Sequence, residues 1–163
     1  YNTVKGTAVE ALGWDPDTQE GLFTNNFSDP QLGREFTESL VDQGADIVLP
    51  PAGFTSIGAP EFCQDTSSCL TIGVDTDWFF TVPEFADVVL TSVVKNLGGF
   101  VFDTIENLVT AGSPGDQYVG TLANDGTDIA PYHDFEEVVP QQLKDEVDQL
   151  RQDIINGTVV PGT

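Results

Sequence analysis

Apolar runs of strand length alternate along this chain with stretches whose apolar residues recur every three or four positions, and that alternation limits the fold more than any other feature. Asp46-Ile47-Val48-Leu49, Leu70 to Val74 and Val88 to Val94 read as buried strands. Leu32, Phe36 and Leu40 mark a helix that Asp29 can cap and Pro30 can open. Further helices are expected near Ile57 to Phe62, along Val101, Ile105 and Leu108 as far as Gly112, and from Pro140 along Leu143, Val147, Leu150 and Ile154. Strands that alternate with helices predict a three-layer α/β/α lobe with a mostly parallel sheet. Three weaker patterns add expectations. Val4, Ala8 and Leu12 suggest the tail of a helix ending at Gly13, Gly21 to Thr24 a short strand, and Tyr118 to Leu122 with Ile129 and Ala130 a pair of edge strands.

At 163 residues the chain is the size of one domain or one lobe of a larger protein, and residues 1–163 are read as a single lobe. Its net charge is −22, with 17 Asp and 10 Glu against three Lys and two Arg. Nucleic acid is excluded as a partner, because that affinity comes from basic side chains neutralising phosphates. An anionic membrane surface is disfavoured for the same reason. So many carboxylates repel one another unless salt screens them, which points to a halophilic source. No apolar run reaches the roughly 18 residues of a membrane-spanning helix. The chain opens at Tyr1 inside an expected helix, so an N-terminal portion is expected to precede it.

In an open α/β sheet, ligands sit where the strands end. Three strand ends here carry turn-forming or polar residues: Asn25 to Asp29, Pro50 to Thr55, and Asp75 to Trp78. Together they offer aromatic faces, backbone amides beside Gly53, and the carboxylates of Asp75 and Asp77. That chemistry suits a flat, hydroxylated ligand, which a ring can stack on and a carboxylate can hold by its hydroxyls. No metal site or cofactor is called for. An Asp-x-Asp pair needs further oxygen ligands to hold a cation. Cys63 and Cys69 bracket a polar stretch, and either a disulfide across a surface loop or a thiol metal site is open to them. The metal reading wants more ligands than two thiols and the distant His133. His133 adjoins Asp134, but no nucleophile elbow completes a catalytic set, so no catalytic residue is assigned and His133 is read as a surface or hinge residue.

The order of motifs resembles the basic membrane protein (BMP) family of substrate-binding lipoproteins. The resemblance rests on Asn26-Phe27-Ser28-Asp29-Pro30 with Gly33, on Asp42-Gln43-Gly44-Ala45-Asp46-Ile47-Val48, and on Ala52-Gly53. It continues through Ile72-Gly73-Val74-Asp75-Thr76-Asp77, Val89 to Lys95, and the closing Val139-Pro140 helix. It implies one lobe, the C-terminal one, of a type I periplasmic-type binding protein whose N-terminal lobe lies outside this chain. It implies a nucleoside ligand, an ABC permease as partner, export, and a lipid anchor at the extracellular face. By residue, Phe27 matches the aromatic that stacks on the base, and Gly53 the glycine whose backbone lies beside the sugar. Asp75 matches the carboxylate that holds ribose hydroxyls, and Lys95 the lysine that ends the following strand. Phe54 and Trp78 stand where the family has a small and a polar residue. Export favours a Cys63–Cys69 disulfide. The four matched residues are expected to share one strand edge, with Lys95 free of any surface ion pair.

Overall fold

The computed structural model describes residues 6–15, 17–115 and 117–161. They fall into two compact units, Tyr1–Thr71 and Ile72–Thr163. The family of folds is α/β, as the alternation predicts.

The first unit opens on a two-stranded antiparallel hairpin, β1 (Trp14–Asp15) with β2 (Glu20–Gly21). Its turn is closed by Asp15, whose Oδ1 accepts from the amides of Asp17 and Thr18. Those two bonds hold the Asp15 carboxyl below the usual carboxylate range. The expected strand therefore sits earlier than Gly21 to Thr24. Residues 6–13 are not helical, and the part of that expected helix before Gly6 lies outside the described residues. The four-residue spacing misled because Thr7 and Val9 are weak helix formers and Gly6 and Gly13 take φ of 68° and 81°.

Helix α1 (Pro30–Asp42) begins where expected, with the Asp29 carboxylate accepting from the Gln31 and Leu32 amides and Pro30 in the first turn. Its buried residues are Gly33 and Thr37, while Leu32, Phe36 and Leu40 are only half-buried. Gly33 is buried because α1 meets a 3₁₀ turn (Gly53–Ile57) and α2 (Gly58–Thr66) backbone to backbone. A Cβ on Gly33 would lie 1.9 Å from the Thr55 carbonyl oxygen, and one on Gly58 would lie 2.0 Å from that of Pro30. Strand β3 (Ile47–Val48) pairs in parallel with the start of β4 (Leu70–Asp75), Ile47 opposite Leu70 and Val48 opposite Thr71.

Cys63 and Cys69 form a disulfide. The stretch it closes is at the surface, as expected, with Asp65 to Ser68 exposed; Cys63 itself lies within α2, both cysteines are buried, and the bond ties that helix to the first residue before β4. A closed loop this short stabilises the fold by about 2 kcal/mol on the chain-entropy account.

In the second unit, α3 (Trp78–Thr81) follows β4, and β5 (Val89–Lys95) leads into α4 (Leu97–Ala111). Asn96 caps α4 at Gly99, and Gly112 ends it at φ 71°. Strand β6 (Thr127–Ile129) pairs antiparallel with β5, and α5 (Gln141–Ile155) closes the fold. The strand order is β3-β4-β5-β6. Residues 118–121 are not a strand, because the following turn satisfies its own backbone: the Thr121 and Asn124 side chains form a reciprocal cap.

Trp78 is 5% exposed. Its indole N–H donates to the Val74 carbonyl, its amide donates to the buried Ser92 hydroxyl, and Gly73 leaves the space its ring fills. Trp78 is thus a core residue of this unit and no threat to a ligand pocket. His133 is also no surface residue. Its Nε2 lies 2.8 Å from Asp77 Oδ2, and its ring stacks on Phe79 with centroids 4.0 Å apart. Asp77 meanwhile caps α3 by accepting from the Phe79 amide. The pair binds residues 56 positions apart, a structural task that accounts for both.

Candidate functional site

The loop that carries Phe27 is pinned on both sides of that residue. Thr55, fully buried, donates its hydroxyl to the Asn26 carbonyl and accepts from the Asp29 amide. The Phe54 amide donates to the Phe27 carbonyl at 2.9 Å. With its backbone held this way, the Phe27 ring projects outward and is 72% exposed. A large apolar ring displayed by a rigid loop, rather than folded into the core, offers a stacking face.

Gly53 lies against that loop. Its φ is 60°, and an added Cβ would come 3.2 Å from the Phe27 carbonyl oxygen and 3.4 Å from Phe27 Cβ. Both the left-handed backbone and the close approach require glycine. Phe54 beside it is exposed. Phe27 and Gly53 are therefore brought together, as the sequence anticipates. Both adjoin one end of a groove of about 1250 Å³ in the first unit, where Asn25, Phe27, Ala52 and Thr55 line the wall. The rest of its wall is mainly apolar, supplied by Phe36, Leu40, Ile47 and Leu49 among others. The groove exceeds the roughly 300–1,000 Å³ of ordinary small-molecule pockets, and at the Phe27 end an aromatic meets the polar side chains of Asn25 and Thr55.

Asp75, at the end of β4, stands at the centre of a three-residue turn closed by the Thr76 amide donating to the Val74 carbonyl. Its φ is 68°, the strained form of such a turn and an uncommon choice for a residue with a side chain. Backbone strain of this kind concentrates where a side chain has to be aimed. The carboxylate is half exposed, and Lys95, at the end of β5, reaches it with Nζ 2.5 Å from Oδ1. Asp75 and Lys95 are thus brought together as well. The expectation that Lys95 would remain outside any surface ion pair is corrected: adjacent strand ends place the ammonium directly on the carboxylate. Sequence alone missed this pairing, since nothing in either residue's neighbours fixes which strands are adjacent.

The chain matches, over residues 22–162, the model of the family described as Bmp, ABC transporter substrate-binding protein PnrA-like. It is 30% identical over 148 residues to Basic membrane protein A of Borreliella afzelii, covering 85% of this chain and 42% of that protein. It is 26% identical over 140 residues to Basic membrane protein A1 of Borrelia garinii, covering 85% of this chain and 40% of that one. The chain thus spans well under half the length of these curated relatives. Among solved structures, an ABC transporter solute-binding protein from Aeropyrum pernix K1 superposes with a TM-score of 0.81 at 20% identity, over 98% of this chain and 50% of that one. A transcriptional activator of the comK gene from Bacillus halodurans superposes at 0.70 and 15% identity, over 84% and 46%. At those identities the structural matches establish the fold.

Proposed function

The chain belongs to the Bmp family of ABC transporter substrate-binding proteins, and from that premise we propose that it is the C-terminal lobe of a solute-binding protein. That protein takes up a nucleoside-like ligand, a purine nucleoside foremost, and delivers it to an ABC permease. In this reading the protein works at the extracellular face of the membrane on a lipid anchor, an N-terminal lobe completes the ligand cleft, and no bond in the ligand is broken. Phe27 stacks on the base, the Gly53 backbone lies beside the sugar, Asp75 accepts from vicinal hydroxyls, and Lys95 fixes the orientation of that carboxylate. The observation that carries the reading is the strained turn at Asp75: the backbone takes an unfavourable φ and thereby displays a carboxylate at a strand end, held by one lysine. A sensory module on the same fold is the second reading, favoured by the likeness to the transcriptional activator. A fused output domain in the complete gene would select it, and a lipid-attachment cysteine would select transport.

Phe27→Ala tests the stacking role in the full-length protein. The ring is exposed, so its loss should leave the melting temperature within about 2 °C while affinity for a purine nucleoside falls roughly 5- to 150-fold, the scale of base–aromatic stacking. Unchanged affinity in an equilibrium titration would remove Phe27 from the ligand site.

A further inference from the structure

Two stretches of the chain have the Asn-x-Ser/Thr spacing of an N-linked glycan acceptor, Asn26-Phe27-Ser28 and Asn156-Gly157-Thr158, and only the first belongs to the candidate ligand site. An acceptor carboxamide must also stand in solvent, with room around it for a bulky sugar. The two stretches differ in this. At Asn26 the polar atoms are spent: its side-chain oxygen accepts from the Ser28 amide and hydroxyl, its carbonyl accepts from Thr24 and Thr55, and the residue is half-buried. Asn156 is the opposite case. It caps the C-terminus of α5, where its amide donates to the Gln152 carbonyl, the Gly157 amide to that of Ile154, and the Thr158 amide to that of Asp153. The backbone of all three residues is thus turned into the helix end, and Gly157 supplies the left-handed φ of 72° that the reversal takes. All three are exposed, and among the described residues none hydrogen-bonds to the Asn156 carboxamide or the Thr158 hydroxyl. A Cβ on Gly157 would meet nothing within 4 Å. At about 100° per residue, Asn156 lies about 150° round α5 from the middle of the stripe Leu143, Val147, Leu150 and Ile154. It lies about 140° from Arg151, whose guanidinium ties the helix to Asp125 and Asp128. The carboxamide therefore leaves the helix away from the side by which α5 is held.

We propose that Asn156 is an N-glycosylation site and that Asn26 is not. The proposal rests on the export part of the family reading above and adds a covalent modification that holding a ligand does not require. Its donor is an oligosaccharide whose anomeric carbon is activated as a lipid phosphate ester. Asn156 Nδ2 attacks that carbon and a C–N bond forms as the C–O bond breaks. The lipid phosphate leaves with the electron pair, and Nδ2 gives up one proton. Thr158 supplies the hydroxyl that the third position of an acceptor needs. A sugar on Asn26 would stand against the Phe27 ring, which the ligand reading keeps open.

Trypsin separates the two stretches. Cleavage at Lys5 and Arg34 isolates Asn26, and cleavage at Arg151 gives a peptide that begins at Gln152 and contains Asn156. Mass spectrometry of the full-length protein, purified from the cell envelope of its own host, should find most Gln152 peptides carrying an oligosaccharide and the peptide of residues 6–34 bare. Asn156→Gln and Thr158→Val should each abolish the modification, and Thr158→Ser should keep it. These substitutions fall on exposed side chains without partners, so the variants should fold. A bare Gln152 peptide from the envelope protein, with Asn156 intact or deamidated to aspartate, overturns the proposal. So does a sugar that survives Asn156→Gln, since it is then held by Thr158 through oxygen. Recovery of the protein from the cytoplasm alone sinks the export reading together with the glycan. Nucleoside titration of the same samples keeps the ligand reading apart. A glycan on Asn156 without nucleoside affinity sinks the ligand assignment alone, and nucleoside affinity with a bare Asn156 sinks the glycan alone.

Discussion

Gly58→Ala is expected to destabilise the protein by about 3 kcal/mol or more, lowering the melting temperature by roughly 10 °C. The new Cβ would stand 2.0 Å from the Pro30 carbonyl oxygen and 2.4 Å from the Arg34 amide nitrogen. Both are backbone atoms of α1, so no side-chain rotation relieves the clash and the helices have to separate. Separation also withdraws Thr55, which touches Gly33 at the same crossing and holds the loop on either side of Phe27. Loss of ligand affinity is therefore expected to accompany the loss of stability. Calorimetry of the variant checks the first effect. A shift under about 2 °C would show that the crossing can open at little cost.

Asp75→Ala is expected to lower nucleoside affinity in the full-length protein by about 1.5 to 3 kcal/mol, or roughly 10- to 150-fold, the usual scale for hydrogen bonds to a charged group. Stability should change little. The Asp75–Lys95 pair is more than half exposed, and such pairs contribute at most about 1 kcal/mol. Asp75→Gly sharpens the test, because glycine adopts φ of 68° without strain. That variant should be at least as stable as the parent and should bind as poorly as the alanine variant. Binding retained by both variants would mean that the strained turn serves something other than the ligand.

Much of the fold could be read from residues whose local chemistry has one outcome. Asp29-Pro30 starts α1, Gly112 stops α4, and the runs ending at Asp75 and Lys95 are strands, because capping, left-handed φ and continuous apolar runs act within a few positions. The failures involve longer range or weaker preference. A four-residue spacing over residues 4–12 looks helical whether or not those residues can sustain a helix. Nothing in the sequence around Gly33 and Gly58 shows that they let two backbones touch. The bond of His133 to Asp77 spans 56 positions and leaves no local trace. The candidate site follows the same division. That Phe27 and Gly53 lie together was legible, because turn-forming residues at a strand end announce a loop, and that loop closes on the neighbouring one. The strain at Asp75 was not, since aspartate is ordinary at strand ends and only the backbone angle marks it. Nor was the occupation of Lys95, which depends on β4 and β5 being neighbours.

Whether this lobe holds a nucleoside, as proposed, is decided by calorimetric titration of the full-length protein in molar potassium chloride. Adenosine, inosine and guanosine should be titrated beside free ribose and the bare purine bases. Saturable binding of at least one purine nucleoside is expected, one per protein, with Kd of about 1 μM or tighter. Ribose and free base should each bind at least about 100-fold more weakly, because stacking at Phe27 and hydroxyl capture at Asp75 are both needed. Tight binding of a simple sugar with no heat from any nucleoside would contradict it.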